Sequence, residues 1–469
     1  PKLSASYNRT SEGGSIFNIN AEYQIFRFRQ RVDTLRTQDG RPDIFELFTS
    51  REDEWNAELS ADYELDLGGG RLKLIGLQRL EHSPTNSFFG QTFTDGITPP
   101  TAFRFDRVVD EGESVLRTEY SWKTDGGTDW GISLEGAYNF LDNTELDAQS
   151  IPVPGSNSKV TEYRGEIIGS YGRGLSNNLT LQANLGGEYS KISQSGIGGE
   201  SRSFIRPKGS ISLAWKPEDG LDLSLKIERE VGQLNFFDFV ASTDVANNVG
   251  TAGNTGLVPP QSWTAELEAT QKLGPWGSAT VTIYGEKISD IVDSIPITTT
   301  TEARGNLPSA TRYGVELNAG ILFDPLGWKG AKLDIEGEIR KSSLRDPLLS
   351  NFRRTNQDKI FTYEISLRHD VPNTNWAWGG GVEDFRFSKF LRLDQINSFR
   401  TEAPYTWIFV EHKDVFGLTI QANLGNLLNR SERFRRTVYV DRRNGPINFI
   451  EDRTRKFGLI YRLTVSGSF

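Results

Sequence analysis

Apolar and polar residues alternate along most of this chain with a period of two. The cleanest run covers residues 54–67. Trp55, Ala57, Leu59, Ala61, Tyr63, Leu65 and Leu67 take one face, and Glu54, Asn56, Glu58, Ser60, Asp62, Glu64 and Asp66 take the other. A period of two predicts a β-strand with unlike faces, whereas a helix would scatter these carboxylates around its circumference. The end of the chain repeats the pattern. Phe457, Leu459, Tyr461, Leu463, Val465 and Phe469 alternate with Lys456, Arg462, Thr464, Ser466 and Ser468, with Ile460 the one apolar intruder.

The strands come in pairs. A short piece, 2–8, meets the turn 11–14 and returns through Phe17, Ile19, Ala21, Tyr23 and Ile25, after which a polar loop is expected through about residue 51. Leu116–Trp122 and Trp130–Phe140 flank the turn 125–128, and Ile211–Trp215 and Leu221–Ile227 flank 217–220. Similar pairs continue to the apolar sets Tyr405, Trp407, Phe409 and Leu418, Ile420, Ala422, Leu424. The pattern predicts about 19 strands, with short turns and long loops alternating strictly between them, as in membrane barrels. The long loops are expected at 82–113, 141–158, 230–260 and beyond residue 430. A sandwich or propeller has no reason to put every long loop at one end, and a solenoid would show a fixed repeat length.

Composition decides which kind of sheet this is. Of 469 residues only 36% are hydrophobic, 25% are charged, and mean hydropathy is −0.47, yet aromatics make up 11%. A soluble assembly of this length needs more apolar residues to fill its cores. A transmembrane β-barrel does not, because only alternate residues meet lipid and the rest face a polar interior. No apolar run approaches the roughly 20 residues of a membrane helix. Six of the ten tryptophans (Trp122, Trp130, Trp215, Trp276, Trp328 and Trp376) lie in or beside the short turns. An apolar ring with one N–H donor suits a membrane–water boundary. The expected fold is therefore all-β, a large antiparallel transmembrane β-barrel.

Cysteine is absent, which excludes disulfides and thiolate metal sites. Methionine is absent too and residue 1 is Pro, so a processed chain or a fragment is expected. The net charge of −9 and pI near 5.2 argue against nucleic acid as a partner.

Several segments resemble the barrel of TonB-dependent outer-membrane receptors. The family often carries Asn-x-x-Leu-x-Pro-x-x-Ser before a strand, and here Asn254, Leu257, Pro259 and Ser262 fit that spacing ahead of Trp263. Ile288-Ser-Asp-Ile-Val-Asp-Ser-Ile295, Tyr313-Gly-Val-Glu-Leu317 and Gly425-Asn-Leu-Leu-Asn429 follow in the family's order, and Phe469 supplies the terminal aromatic. These motifs cover about the last 215 residues; the first half matches only in alternation. The resemblance implies a 22-stranded barrel with an N-terminal plug that gates the pore and contacts a TonB-type energy-coupling protein. Alternating strands begin almost at once here, so the plug and the first three strands are expected to lie outside this sequence, with the whole chain a barrel domain. An outer-membrane location, contact with lipid and lipopolysaccharide, and uptake of a scarce small-molecule nutrient follow from the same resemblance.

The residues themselves imply no catalytic centre, metal site or cofactor. His82, His369 and His412 stand far apart with no ligand spacing. Binding is the better expectation, because loops on rigid scaffolds carry recognition. Phe88, Phe89 and Arg104 stand in one long loop, Phe236, Phe237 and Phe239 in another, and Arg433, Arg435 and Arg436 in the last. Arginine with aromatics suits an anionic or aromatic ligand. A passive porin, or a barrel without a plug in a larger envelope assembly, is the alternative.

Overall fold

A computed structural model describes residues 1–37, 40–147, 149, 151, 156–196, 199–244, 249–298 and 301–467. Strands dominate it. A 20-stranded sheet contains one antiparallel meander, from Lys2–Thr10 to Ile460–Ser466. Phe352–Arg353, only two residues long, pairs beside Ala331–Arg345 and stands outside the meander, which leaves 20 − 1 = 19 strands in it. That is the number the alternation predicts. A separate four-stranded sheet of Phe390–Leu391, Gln395–Thr401, Ser431–Tyr439 and Ile447–Lys456 is built from the long connections near the end of the chain.

Connections at one end are tight. Residues 68–69, 177–178, 219–220 and 416–417 are two-residue links. Gly68 and Gly69 have φ of +57° and +84° between the paired Leu67 and Gly70. Positive φ at both central positions makes a type I′ hairpin, the turn whose twist matches the flanking strands. All long connections lie at the other end, as expected.

Burial is inverted relative to a soluble protein. Large apolar side chains on one face are exposed: Leu59 at 49%, Leu116 at 65%, Leu185 at 77% and Ile205 at 79%. Tyr63 and Leu67 are exposed as well, and Trp55 is half-buried. The polar face is the enclosed one, with Glu162, Glu188, Ser190 and Thr282 buried. Charges there are matched across strands. Arg164 lies 2.9 Å from Glu135, Lys208 lies 3.1 Å from Glu188, and Arg312 lies 2.9 Å from Glu286. Exposed apolar area of this extent has to meet something other than water.

Aromatic rings mark both limits of the apolar band. At the short-turn end Tyr120, Trp122, Trp130 and Tyr171 pack in series, with centroids 5.5, 6.4 and 5.0 Å apart. At the other limit Tyr23, Trp55 and His82 stack, and Tyr138 meets Tyr163 at 4.9 Å. Trp130 and Tyr138 stand on the same strand and face. Eight steps of about 3.3 Å give roughly 26 Å of strand, or about 20 Å of depth at a ~40° tilt, near the roughly 25 Å band of a membrane barrel. The histidines join these belts. His369 packs on Trp328 and Trp378, and His412 meets Trp376 at 4.6 Å.

The strands differ from expectation in length. Ile16–Arg36 and Ile44–Leu67 are continuous, so the polar loop expected through residue 51 shrinks to 37–43. The loop expected at 82–113 is a hairpin of Gly70–Phe93 and Thr101–Lys123, open only at 94–100, and Phe88, Phe89 and Arg104 lie on its strands. Beyond the aromatic belt neither face meets lipid, so a strand can continue without the alternation that would reveal it. A second correction concerns Tyr405, Trp407 and Phe409, which face inward. Ile408 and Val410 take the exposed face. The register sets Trp407 opposite Gly381 and Phe409 opposite Gly379. A Cβ on Gly379 would stand 2.7 Å from the Phe409 ring, so these glycines clear the space that the rings fill. The terminal Phe469, with Ser468, lies outside the described residues.

Candidate functional site

The long-loop end folds inward, and the stretches 232–244 and 249–260 begin it. Asn235 caps the short helix Phe236–Phe239, its side chain accepting from the Phe237 N–H at 3.0 Å. Phe239, Val240 and Leu257 are buried against Val109, Leu141, Val160 and Ile192 on the outer reaches of four strands. Those four residues share the face of the inward carboxylates, so the polar wall turns apolar where this segment lands. The Asn254 motif holds it there. Asn254 Nδ2 donates to the Arg304 carbonyl at 2.8 Å, and Asn306 both accepts from the Val258 N–H and donates to the Val258 carbonyl, at 2.9 and 2.8 Å. Under the segment lies a cavity of about 340 Å³, lined by Phe236 and Phe237 together with Glu81, Glu111, Glu113, Glu162 and Arg79. Arg107 stands 5.9 Å over the Phe237 ring.

The Ile288–Ile295 motif contains a local break in the strand ladder. Asp290 has φ +55° and no partner between the pairs Ser289–Ser309 and Ile291–Leu307. The facing Pro308 is skipped as well, so the register is the same on both sides, while the buried positions change from even (Thr282, Ile288) to odd (Ile291, Asp293) across Asp290. Ile288 and Ile291 consequently both enter an inner apolar cluster with Leu307, Ala310 and Leu344, and Asp293 is buried beyond them.

Asp293 belongs to a buried ionic network that sequence reading missed. Its carboxylate accepts from Asn356 Nδ2 at 2.7 Å and lies 3.4 Å from Arg353. Arg353 Nε donates to Asp346 at 2.7 Å, and Arg443 Nη2 donates to both Asp346 oxygens at 3.0 and 2.9 Å. The Asp346 carboxylate also accepts from the N–H groups of Leu348 and Leu349, both at 2.9 Å. Burial pushes the Asp346 carboxyl up, but the Leu349 and Leu348 N–H groups and Arg443 outweigh it and hold the group below its usual value. A neighbouring node is Asp358, which accepts from Ser342 at 2.6 Å and stands 3.0 Å from Arg340. One sign was legible, since Asp346-Pro347 marks a turn in which the Asp side chain bonds the backbone two and three residues on. Its partner Arg443 lies 97 residues away and leaves no local pattern. The Gly425–Asn429 motif has a similar anchoring role. Asn426 is buried with φ +58°, accepts from the Arg430 N–H at 2.7 Å and donates to the Gly458 carbonyl at 2.6 Å.

The structure disperses the nine residues picked out as ligand candidates. Phe236 and Phe237 line the first cavity, while Phe239 is in the apolar cluster. Arg433 and Arg435 line a second cavity of about 500 Å³, between segment 353–360 and the outer four-stranded sheet. Arg436 points to the opposite face of its strand, is buried, and donates to Glu451 at 2.9 Å. Phe88, Phe89 and Arg104 line neither cavity; Phe89 is buried and Arg104 pairs with Asp106 at 3.2 Å.

Comparisons with known proteins agree with this architecture. No curated protein matches the chain in sequence. Among solved structures, the siderophore receptor PiuA from Acinetobacter baumannii superposes with a TM-score of 0.54 at 9% identity, over 92% of this chain and 76% of that one. A double mutant of the Serratia marcescens hemophore receptor HasR, in complex with its hemophore HasA and heme, gives 0.53 at 9%, over 92% and 77%. The ferric yersiniabactin uptake receptor FyuA from Yersinia pestis gives 0.51 at 11%, over 92% and 75%. At such identities these likenesses speak for the fold alone. The sequence itself matches, over residues 4–427, the family profile described as TonB dependent receptor-like, beta-barrel. That span takes in the alternating strands, the Asn254 and Ile288 motifs and most of the inward-folded loops, and the chain belongs to the TonB-dependent receptor-like β-barrel family.

Proposed function

We propose that this chain forms the wall of a receptor in the bacterial outer membrane, which captures a scarce solute through its outer loops and passes it inward at the expense of a TonB-type energy-coupling protein. One observation supports capture over free diffusion. Segments 232–244, 249–260, 346–358 and 426–459 are not splayed into solvent; they fold over the polar face and are fastened by buried hydrogen bonds and ion pairs. A receptor needs binding groups held on a rigid frame, and these fastened segments provide one. The edge strands Lys2–Thr10 and Ile460–Ser466 run in the same direction, being first and last of 19 alternating members. Antiparallel closure between them therefore takes an odd number of intervening strands, and three would give the 22 that the family resemblance implies.

A strain lacking this protein, grown on limiting nutrients one at a time, is expected to fail on a narrow solute class. A strain lacking the TonB-type coupling protein should fail on the same class. Equal growth of both strains with the parent on every nutrient, together with a large steady conductance of the purified chain in planar bilayers, would instead identify a passive pore.

A further inference from the structure

We propose that the 500 Å³ cavity beside the outer sheet binds a polyanionic solute, one presenting two or more carboxylate or phosphate groups next to a flat apolar part. Its role as the capture site rests on the receptor reading above. Six arginines and one lysine line the cavity, with no Asp or Glu among the lining residues, in a chain whose net charge is −9. Three of these cations have their own carboxylates. Arg353 bonds Asp346 at 2.7 Å, Arg354 lies 3.3 Å from Asp358, and Arg433 bonds Asp452 at 2.7 Å. The other four, Arg386, Lys389, Arg400 and Arg435, make no side-chain ion pair or hydrogen bond among the described residues.

Strand register brings like charges together here. Arg400 stands directly opposite Arg433, and Arg435, two residues further on, shares their face. Facing like charges destabilise a ladder, and an anion placed between them reverses the sign of that interaction. A concave site lined by one sign of charge also concentrates the opposite sign from solution. Guanidinium forks match carboxylate and phosphate oxygens two at a time, which a lysine cannot do. Phe387 and Phe399 supply the apolar part of the lining. A lipopolysaccharide phosphate would offer the same chemistry, but the position favours a free solute. Arg354 sits in the segment fastened through Asp358 to Arg340, which belongs to the polar face rather than the lipid face.

Calorimetric titration of the purified chain in neutral detergent tests this, with pyrophosphate, citrate and the uncharged trimethyl citrate as probes. Pyrophosphate and citrate are expected to bind at least tenfold more tightly than the ester. The double variant Arg400→Gln/Arg435→Gln should lose at least tenfold of that affinity, and Arg386→Gln, on a different strand, should weaken it too. All variants should keep the heat-modifiable gel mobility of a folded barrel. Absence of anion binding, or equal binding by the variants, overturns the proposal. So does a result in which the substitutions abolish binding to micelles doped with lipid A and leave the soluble anions untouched. Binding that is lost in the variants while a deletion strain takes up every nutrient normally would leave the site standing and remove the receptor reading. No anion binding with a nutrient still dependent on the protein would do the reverse.

Discussion

Replacing Asp346 with alanine is expected to speed amide exchange at Tyr439 and Arg443 by roughly two to three and a half orders of magnitude. These N–H groups bond the carbonyls of Asp394 and Leu393 at 2.8 and 3.0 Å, in the stretch that Arg443 ties to Asp346. Removing the carboxylate strands the buried guanidinium of Arg443 and leaves Arg353 with the more distant carboxylate of Asp293; their side chains are 4% and 9% exposed. Breaking a buried pair from one side costs about 3–5 kcal/mol, because the surviving charge keeps its desolvation penalty and loses its partner. Each 1.4 kcal/mol is tenfold, which gives the range above when the tip opens locally. The double variant Asp346→Leu/Arg443→Met should recover much of the loss, since exchanging both charges for apolar groups is far less costly than removing one. A change of less than tenfold in Asp346→Ala would mean that the network does not hold these segments. Acid should act like the substitution. The folded-state value of Asp346 lies below its unfolded one, so its contribution is fully present above the unfolded value near 3.9. It disappears as pH falls through the lower, folded-state value. Protection at Arg443, corrected for intrinsic exchange, should be flat from pH 7 to about 5 and drop below about 4.

The second large effect concerns the apolar face. Leu134 is 49% exposed and lies midway between Trp130 and Tyr138. Arginine there should lower unfolding stability in lipid vesicles by about 2–4 kcal/mol, the cost of a cation at the bilayer midplane of a barrel. The adjacent Ser133 points to the polar face, between Glu119 and Ile168 in the register. Arginine at Ser133 should cost under about 1 kcal/mol, because that side meets water and carboxylates. If the exposed face met water instead, the order would invert, and Leu134→Arg would be neutral or stabilising.

These two positions also mark what could be read from the sequence. The face of Leu134 was legible because lipid on one side and water on the other force opposite residue types onto successive positions. The short turns were legible because glycine pairs such as Gly68–Gly69 are needed where both central φ values are positive. Legibility failed where that asymmetry ends. Residues 44–53 and 83–93 are strand, but they stand beyond the aromatic belt and carry no consistent alternation. It failed as well at Trp407 and Phe409, where glycines on the neighbouring strand admit rings to the inner face. The candidate site was legible only in composition. Arg433 and Arg435 could be picked out as arginines near aromatics, but Arg386 and Arg400 reach the same cavity through long-range pairing that no local pattern records. The pairing of Asp346 with Arg443, 97 residues away, was invisible for the same reason.

The most direct measurement is collision accessibility along the strand Ile44–Leu67. The chain has no cysteine, so single cysteines carrying a nitroxide can be placed one at a time from 56 to 65 in lipid-reconstituted protein. Oxygen, which partitions into hydrocarbon, should collide most at 57, 59, 61, 63 and 65, and a water-soluble nickel chelate most at 56, 58, 60, 62 and 64. Loss of the alternation, or odd-numbered sites shielded from both reagents as in a packed core, would contradict a wall with lipid on one side and a wet interior on the other.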